Sequence, residues 1–383
     1  MNSSAIIAAE PAALSPAQNK PAIDTSAAEF DIERHGDVVL VPVYVEGTRC
    51  YFAIDTGSVT SVLDARFKSR LTPTDRTISD KHGNAGLPLY QIPEATLGEN
   101  GPSVEGDVAC VDMARMRKVS GFDIRGILGM SFLNKHAFCL DFDSGKLTFL
   151  HSADRTAGTP VQLTFDSVMR PTVQVSLGSD GPMPLLIDTG MISPGFGEVT
   201  TPVFDQLLEE KRLSLIESPS QTITFAGQVT ARKGLLERFK IGDFDMRPMS
   251  VREGTINAVG LGFLSRFVVT FDFPNKIMYL KKGKRFADPT PQDRSGLMVS
   301  RVAGETWLDR VFAGSPAAAG GIESGDVLVS VDGKRANEIT LFELRHLLAV
   351  DGREVDLVVR GIGGKRDVKL KLSNWQKNDQ AND

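Results

Sequence analysis

Cysteine is nearly missing from this chain: Cys50, Cys110 and Cys139 are the only three in 383 residues. An odd count at wide spacing makes neither a disulfide framework nor a CxxC zinc or redox site. The five histidines are scattered. No HExxH pair or Cys/His cluster occurs, so spacing supports no metal site and no cofactor is expected. GxSxG is absent, as is a phosphate-binding GxxxxGK[ST] loop, which removes the common signatures of serine hydrolases and nucleotide enzymes. Basic residues do not exceed acidic ones, at 43 against 48 for a net charge of −5. That excludes a dedicated nucleic-acid binder. No window approaches the ~20 apolar residues of a membrane-spanning helix. Tryptophan is scarce at 2 residues, against Gly 36 and Pro 20, a loop-rich balance that leans towards β structure.

What is present is enough apolar mass, at 41% hydrophobic, for two to four domains of ordinary size. Residues 1–30 read as an N-terminal tail rich in Ala, Pro and Ser. Their first basic residue is Lys20 and the apolar stretch Ala5–Ala9 is short. No secretory leader is visible there. The chain is therefore cytoplasmic, or it begins downstream of its leader.

From Asp37 the pattern becomes β. Val38–Val45, a Glu46-Gly47-Thr48 turn and Cys50–Ile54 run into Asp55-Thr56-Gly57-Ser58. The layout returns as Thr172–Leu177, a Gly178–Gly181 turn and Pro184–Ile187, ending at Asp188-Thr189-Gly190. A later landmark, Ile127-Leu128-Gly129 followed by Leu140-Asp141-Phe142, is echoed by Ala258-Val259-Gly260 and Phe271-Asp272-Phe273. The copies are offset by 133 residues at Asp55 and Asp188, and by 131 at both Gly129/Gly260 and Asp141/Asp272. Nearly constant spacing over three landmarks is the mark of an internal duplication. Helical periodicity is expected over Pro202–Leu213 and more briefly over Ala65–Leu71. The copies occupy residues 31–152 and 160–283, joined by a linker near Ser152–Pro160.

A carboxylate at the end of an apolar strand costs free energy unless it is partnered. One Asp per copy implies a pair at a pseudo-twofold axis. Two adjacent carboxylates cannot both ionise, so they share a proton, hold a water and work as general acid and general base.

Ala53-Ile54-Asp55-Thr56-Gly57-Ser58 and Leu186-Ile187-Asp188-Thr189-Gly190 resemble the active-site loops of aspartic proteases. Ile127-Leu128-Gly129 and Ala258-Val259-Gly260 are similar to that family's hydrophobic-hydrophobic-Gly element. The short copies look more like retropepsin units than pepsin lobes. The resemblance implies a mainly β fold of two pseudo-twofold-related retropepsin-like barrel units in a bilobal aspartic protease. It also implies a protein or peptide substrate and a periplasmic or secreted location. Asp55 and Asp188 would be the catalytic pair. Thr56 and Thr189 would brace the loops, Gly57 and Gly190 would permit close backbone approach, and Ser58 would stand near the outer carboxylate oxygen. Met191 departs from the pattern because it cannot hydrogen-bond as Ser58 can. Flap candidates are His82–Gly86 and Phe225–Gly227. Two other readings remain open: a non-catalytic peptide-binding scaffold, and a site assembled between two chains.

After the break Asp288-Pro289-Thr290-Pro291, residues 294–372 resemble a PDZ domain (α+β) of the kind attached to bacterial proteases. The residues that carry this are Ala313–Ala318, Gly325-Asp326-Val327-Leu328 and Val331-Asp332-Gly333. A PDZ groove takes a peptide as an added strand and holds its C-terminal carboxylate on backbone N–H groups. The resemblance places Ser295, Gly296, Leu297 and Met298 in the carboxylate loop and its strand. It places Leu344 and Leu348 in the side-chain pocket, with ordinary core packing as the competing reading of both leucines. Ala303–Trp307 looks like an insert. Residues 373–383 form a polar tail, and Lys281–Arg285 reads as a solvated strand end.

Overall fold

The computed structural model describes residues 26–34, 38–78, 86–178, 181–192, 195–224, 227–246 and 248–375. The protein is mainly β. Strand formation follows period-two alternation: in Leu40–Val45 every second residue is buried, and Val39, Val41, Val43 and Val45 all point into the core.

The duplication is visible in the topology. The first copy's sheet runs in the order Thr72–Ile78, Leu87–Gln91, Asp107–Val111, Ser61–Asp64, Ile124–Leu128, Thr48–Ile54, Leu40–Val45, Ala95–Leu97. The second runs Leu213–Thr224, Gly227–Leu236, Met249–Gly254, Gly197–Thr200, Ala258–Val259, Met183–Ile187, Pro171–Ser176, Phe239–Ile241, then Phe244–Met246. Strand senses match as well. Thr48–Ile54 lies parallel to Ile124–Leu128, as Met183–Ile187 does to Ala258–Val259. Ser61–Asp64 lies parallel to Asp107–Val111, as Gly197–Thr200 does to Met249–Gly254.

A third sheet joins the copies. Ala137–Asp141 pairs antiparallel with Phe267–Asp272, Cys139 facing Thr270. Each carries its own hairpin partner, Lys146–Leu150 or Ile277–Lys282. The outer strands are Ser26–Asp31 and Thr159–Gln162. All of Ser26–Asp31 but its last residue falls in the segment expected to be a tail; its backbone bonds go to Lys146–Leu150, a partner more than a hundred residues away. One apolar core runs through both copies, and within it Phe138 packs against Phe149 and Phe271.

The C-terminal sheet runs Leu297–Val302, Glu305–Val311, Val327–Val331, Glu354–Gly361, Gly364–Lys371 around a separate core. The Leu341–Leu347 helix packs on it, started by a capping box between Thr340 and Glu343. Ala303 and Gly304 sit at positive φ between paired Val302 and Glu305, so the expected insert is a two-residue hairpin turn leading into its strand. The expected helices appear as Thr201–Glu209 and a 3-10 turn at Ala65–Arg70. Among the described residues, no helix is long and apolar enough to cross a membrane.

Candidate functional site

The two Asp-Thr-Gly loops meet within one chain. Each follows a strand of its own copy, Thr48–Ile54 or Met183–Ile187. Each Asp backbone N–H donates to the residue before the landmark glycine: Asp55 to the Leu128 carbonyl and Asp188 to the Val259 carbonyl, both at 3.0 Å. The landmark glycines are required by space. A Cβ on Gly129 would overlap the Thr60 carbonyl, and one on Gly260 would lie 2.7 Å from the Met191 carbonyl oxygen.

The threonines interlock. Thr56 Oγ1 donates to the Ile187 carbonyl at 2.6 Å and accepts from the Thr189 backbone N–H at 3.1 Å. Thr189 Oγ1 donates to the Ile54 carbonyl at 2.9 Å and accepts from the Thr56 backbone N–H at 3.0 Å. Both side chains are almost wholly buried. The four bonds fasten each loop to the strand end of the other copy.

The carboxylates cross over the opposite glycines. A Cβ on Gly57 would lie 2.5 Å from Asp188 Cγ, and a Cβ on Gly190 would overlap the Asp55 carboxylate. Only glycine fits at either place. Asp55 Oδ1 accepts from the Gly57 and Ser58 N–H groups at 2.8 and 3.0 Å, and Asp188 Oδ1 from Gly190 N–H at 2.9 Å. Burial, then the charge of Asp55, push the Asp188 carboxyl well above the ordinary carboxylate range; the Gly190 and Met191 N–H groups oppose this and Glu198 adds to it. Asp188 therefore keeps a proton that an exposed Asp would lose.

The Ser58 hydroxyl donates to the Thr60 carbonyl at 2.8 Å, and its backbone N–H donates to Asp55 Oδ1. This explains Met191, which needs only a backbone to do the same work. Ser58 O accepts from Met130 N–H, and Met191 O accepts from Leu261 N–H. Of the flap candidates, only Gly86 and Gly227 are among the described residues.

The sequence reading missed Glu198 and Arg252, an ion pair in the second copy whose Glu198 charge raises the Asp188 carboxyl. Pairing registers place them at the positions of Val62 and Ala109 in the first copy. A charged pair replacing an apolar one between aligned copies was the available signal.

In the C-terminal domain, Ser295 N–H and Oγ donate to Asp293 Oδ1 at 3.1 and 2.6 Å, Gly296 N–H donates to Asp293 Oδ2 at 2.7 Å, and Leu297 N–H donates to Ser295 Oγ. These N–H groups are thus taken by the chain itself. Met298 is half-buried on the strand. Leu344 and Leu348 are buried in the hydrophobic cluster of the domain. The three cysteines are free thiols; Cys50 is buried, and Cys110 and Cys139 are half-buried. No group of His, Cys, Asp and Glu suited to a metal ion occurs among the described residues.

The sequence profile of the PDZ domain family matches residues 309–361. The chain thus carries a PDZ domain at its C-terminal end. Among solved structures, it is similar to a photosystem II D1 C-terminal processing protease, at 23% identity and a TM-score of 0.20. The match covers 21% of this chain and 23% of that one. No curated protein matches the chain.

Proposed function

We propose that the chain is an aspartic-type endopeptidase acting through Asp55 and Asp188, with an attached PDZ domain for a C-terminal peptide of substrate or partner. The observation that supports this reading best is the mutual placement of two carboxylates over each other's glycine, held by a four-bond threonine interlock. A structural role does not call for two adjacent, partly buried carboxyls, because their repulsion and desolvation oppose folding. In catalysis the pair shares one proton. The ionised member draws a proton from a water lying between the two carboxyls as that water attacks a peptide carbonyl carbon. The protonated member donates to the carbonyl oxygen. Proton transfer to the amide nitrogen then releases the amine. The shared proton belongs to the pair, and either carboxyl can carry it as the acid while the other serves as the base.

The test is hydrolysis of denatured casein from pH 3 to 8, with peptide products read by mass spectrometry. Wild type is expected to cleave, and Asp55→Asn and Asp188→Asn each to lose at least about a hundredfold in rate. Cleavage by Asp55→Asn at the wild-type rate would overturn the assignment. Casein left intact by wild type at every pH would favour the non-catalytic peptide-binding scaffold.

A further inference from the structure

The PDZ strand Leu297–Val302 lies at the end of its sheet and pairs on one side only, with Glu305–Val311. Such an open edge is where an added peptide strand would bond. Its surroundings are not open. The Ala114–Ser120 helix of the first copy packs beside this strand. Arg345, on the Leu341–Leu347 helix, donates to the Val119 carbonyl at 3.0 Å and to the Val299 carbonyl at 3.2 Å. One guanidinium thereby brackets the first copy to the edge strand. Lys118 Nζ reaches Asp309 at 3.5 Å. A Cβ on Gly121 would stand 3.3 Å from Leu341 Cδ1 and 3.7 Å from Arg301 Cβ. Phe342 stacks on Phe122 and is buried among Val38, Ala53, Val62, Ala109, Ile124 and Ile127.

Comparison of the copies shows that this contact is built into the chain. Between the paired residues Val111 and Ile127 the first copy has 15 residues; between their counterparts Gly254 and Ala258 the second has 3. The additional length contains the Ala114–Ser120 helix. At Val62 and Ala109, apolar members of the buried cluster that holds Phe342, the second copy has Glu198 and Arg252. Insert and apolar patch therefore occur together, in the copy that meets the PDZ domain.

We propose that residues 114–122 are an internal occupant of the PDZ groove. They close its edge strand, and a peptide can add to Leu297–Val302 only when the PDZ domain swings off this segment. Arg117 ties the helix to Asp64 of its own copy, so the seam that opens is the one bracketed by Arg345. Closure is linked to the candidate active site, because Phe342 shares one buried cluster with Ala53, two residues before Asp55, and with Ile127, two before Gly129. That link rests on the proposed function; the closure does not.

The test is hydrogen exchange with peptide-level mass spectrometry on the full chain, which needs no catalytic readout. A seven-residue helix is too short to protect itself in water, so slow exchange in 114–122 reports its docking. Wild type is expected to protect 114–122 and 297–302. In Arg345→Ala both segments are expected to exchange at least tenfold faster together, while the 354–371 hairpin is unchanged. Unprotected 114–122 in wild type, or acceleration of one segment without the other, would overturn the proposal. Should Arg345→Ala also loosen 354–371, Lys118→Ala weakens the same seam from outside the PDZ domain, and the same paired acceleration is required of it.

Discussion

Replacing Thr56 by Val removes one hydroxyl from the interlock and keeps nearly the same shape. Two hydrogen bonds vanish, Thr56 Oγ1 to the Ile187 carbonyl and Thr189 N–H to Thr56 Oγ1. Each contributes about 1 kcal/mol net, and a buried N–H left without a partner costs about 1–3 kcal/mol. Water cannot readily make up the loss, because Thr56 is fully buried and Thr189 is 1% exposed. The expected destabilisation is about 2–4 kcal/mol. For a two-copy unit of this size that corresponds to a fall in Tm of about 5–15 °C. Urea unfolding followed by fluorescence would measure it. Thr189→Val should cost a similar amount, since its bonds are the symmetric counterparts. The double variant should cost less than the sum by about 0.5–3 kcal/mol, because both hydroxyls fasten the same two loops. Thr56→Ser keeps the hydroxyl and should lose only about 1 kcal/mol, for one methyl. A Thr56→Val chain within about 0.5 kcal/mol of wild type would refute the reasoning, as would strict additivity. The outcome is independent of whether the chain hydrolyses anything.

Three further outcomes follow from the same geometry. Gly57→Ala brings a methyl to 2.5 Å from Asp188 Cγ, so the carboxyls must part by about 1 Å; casein hydrolysis should fall about a hundredfold, and an unchanged rate would contradict the close approach. The raised Asp188 carboxyl means the folded protein holds a proton that the unfolded chain has lost. Stability should therefore fall as pH rises from the ordinary carboxylate range through the raised value; urea unfolding at several pH values should show this slope in wild type and lose it in Asp188→Asn. Burial pushes the Cys50 thiol up, so iodoacetamide at pH 7.5 should modify it at least about tenfold more slowly in the folded chain than in urea, read by mass spectrometry; equal rates would place Cys50 outside the core.

The sequence by itself determined what is local or periodic. Alternating valines fix a strand because side chains project to opposite faces at every second residue. The repeated Asp-Thr-Gly and hydrophobic-hydrophobic-Gly landmarks at nearly constant spacing foretold two similar units. Those units show the same strand order and strand senses. The PDZ landmarks lie in or beside the region that the family profile matches. The tertiary structure decided what depends on partners distant in the chain. Ser26–Asp31 has an ordinary polar and small-residue composition and becomes a strand because Lys146–Leu150 offers it an edge. Ser58 carries a hydroxyl suited to a carboxylate, yet Thr60 takes it, and only a three-dimensional arrangement settles that competition. Leu344 and Leu348 have the same helical spacing whether they line a groove or fill a core; their burial in one cluster with the sheet is set by the tertiary structure. The asymmetry between the copies is of the same kind. Val62 and Ala109 against Glu198 and Arg252 is a difference in letters, and it gains meaning from Phe342, which joins the buried cluster of the first pair from more than two hundred residues away in sequence. Periodicity records which way a side chain points, whereas what it meets there is set by chain closure over long separations, and no local pattern encodes that.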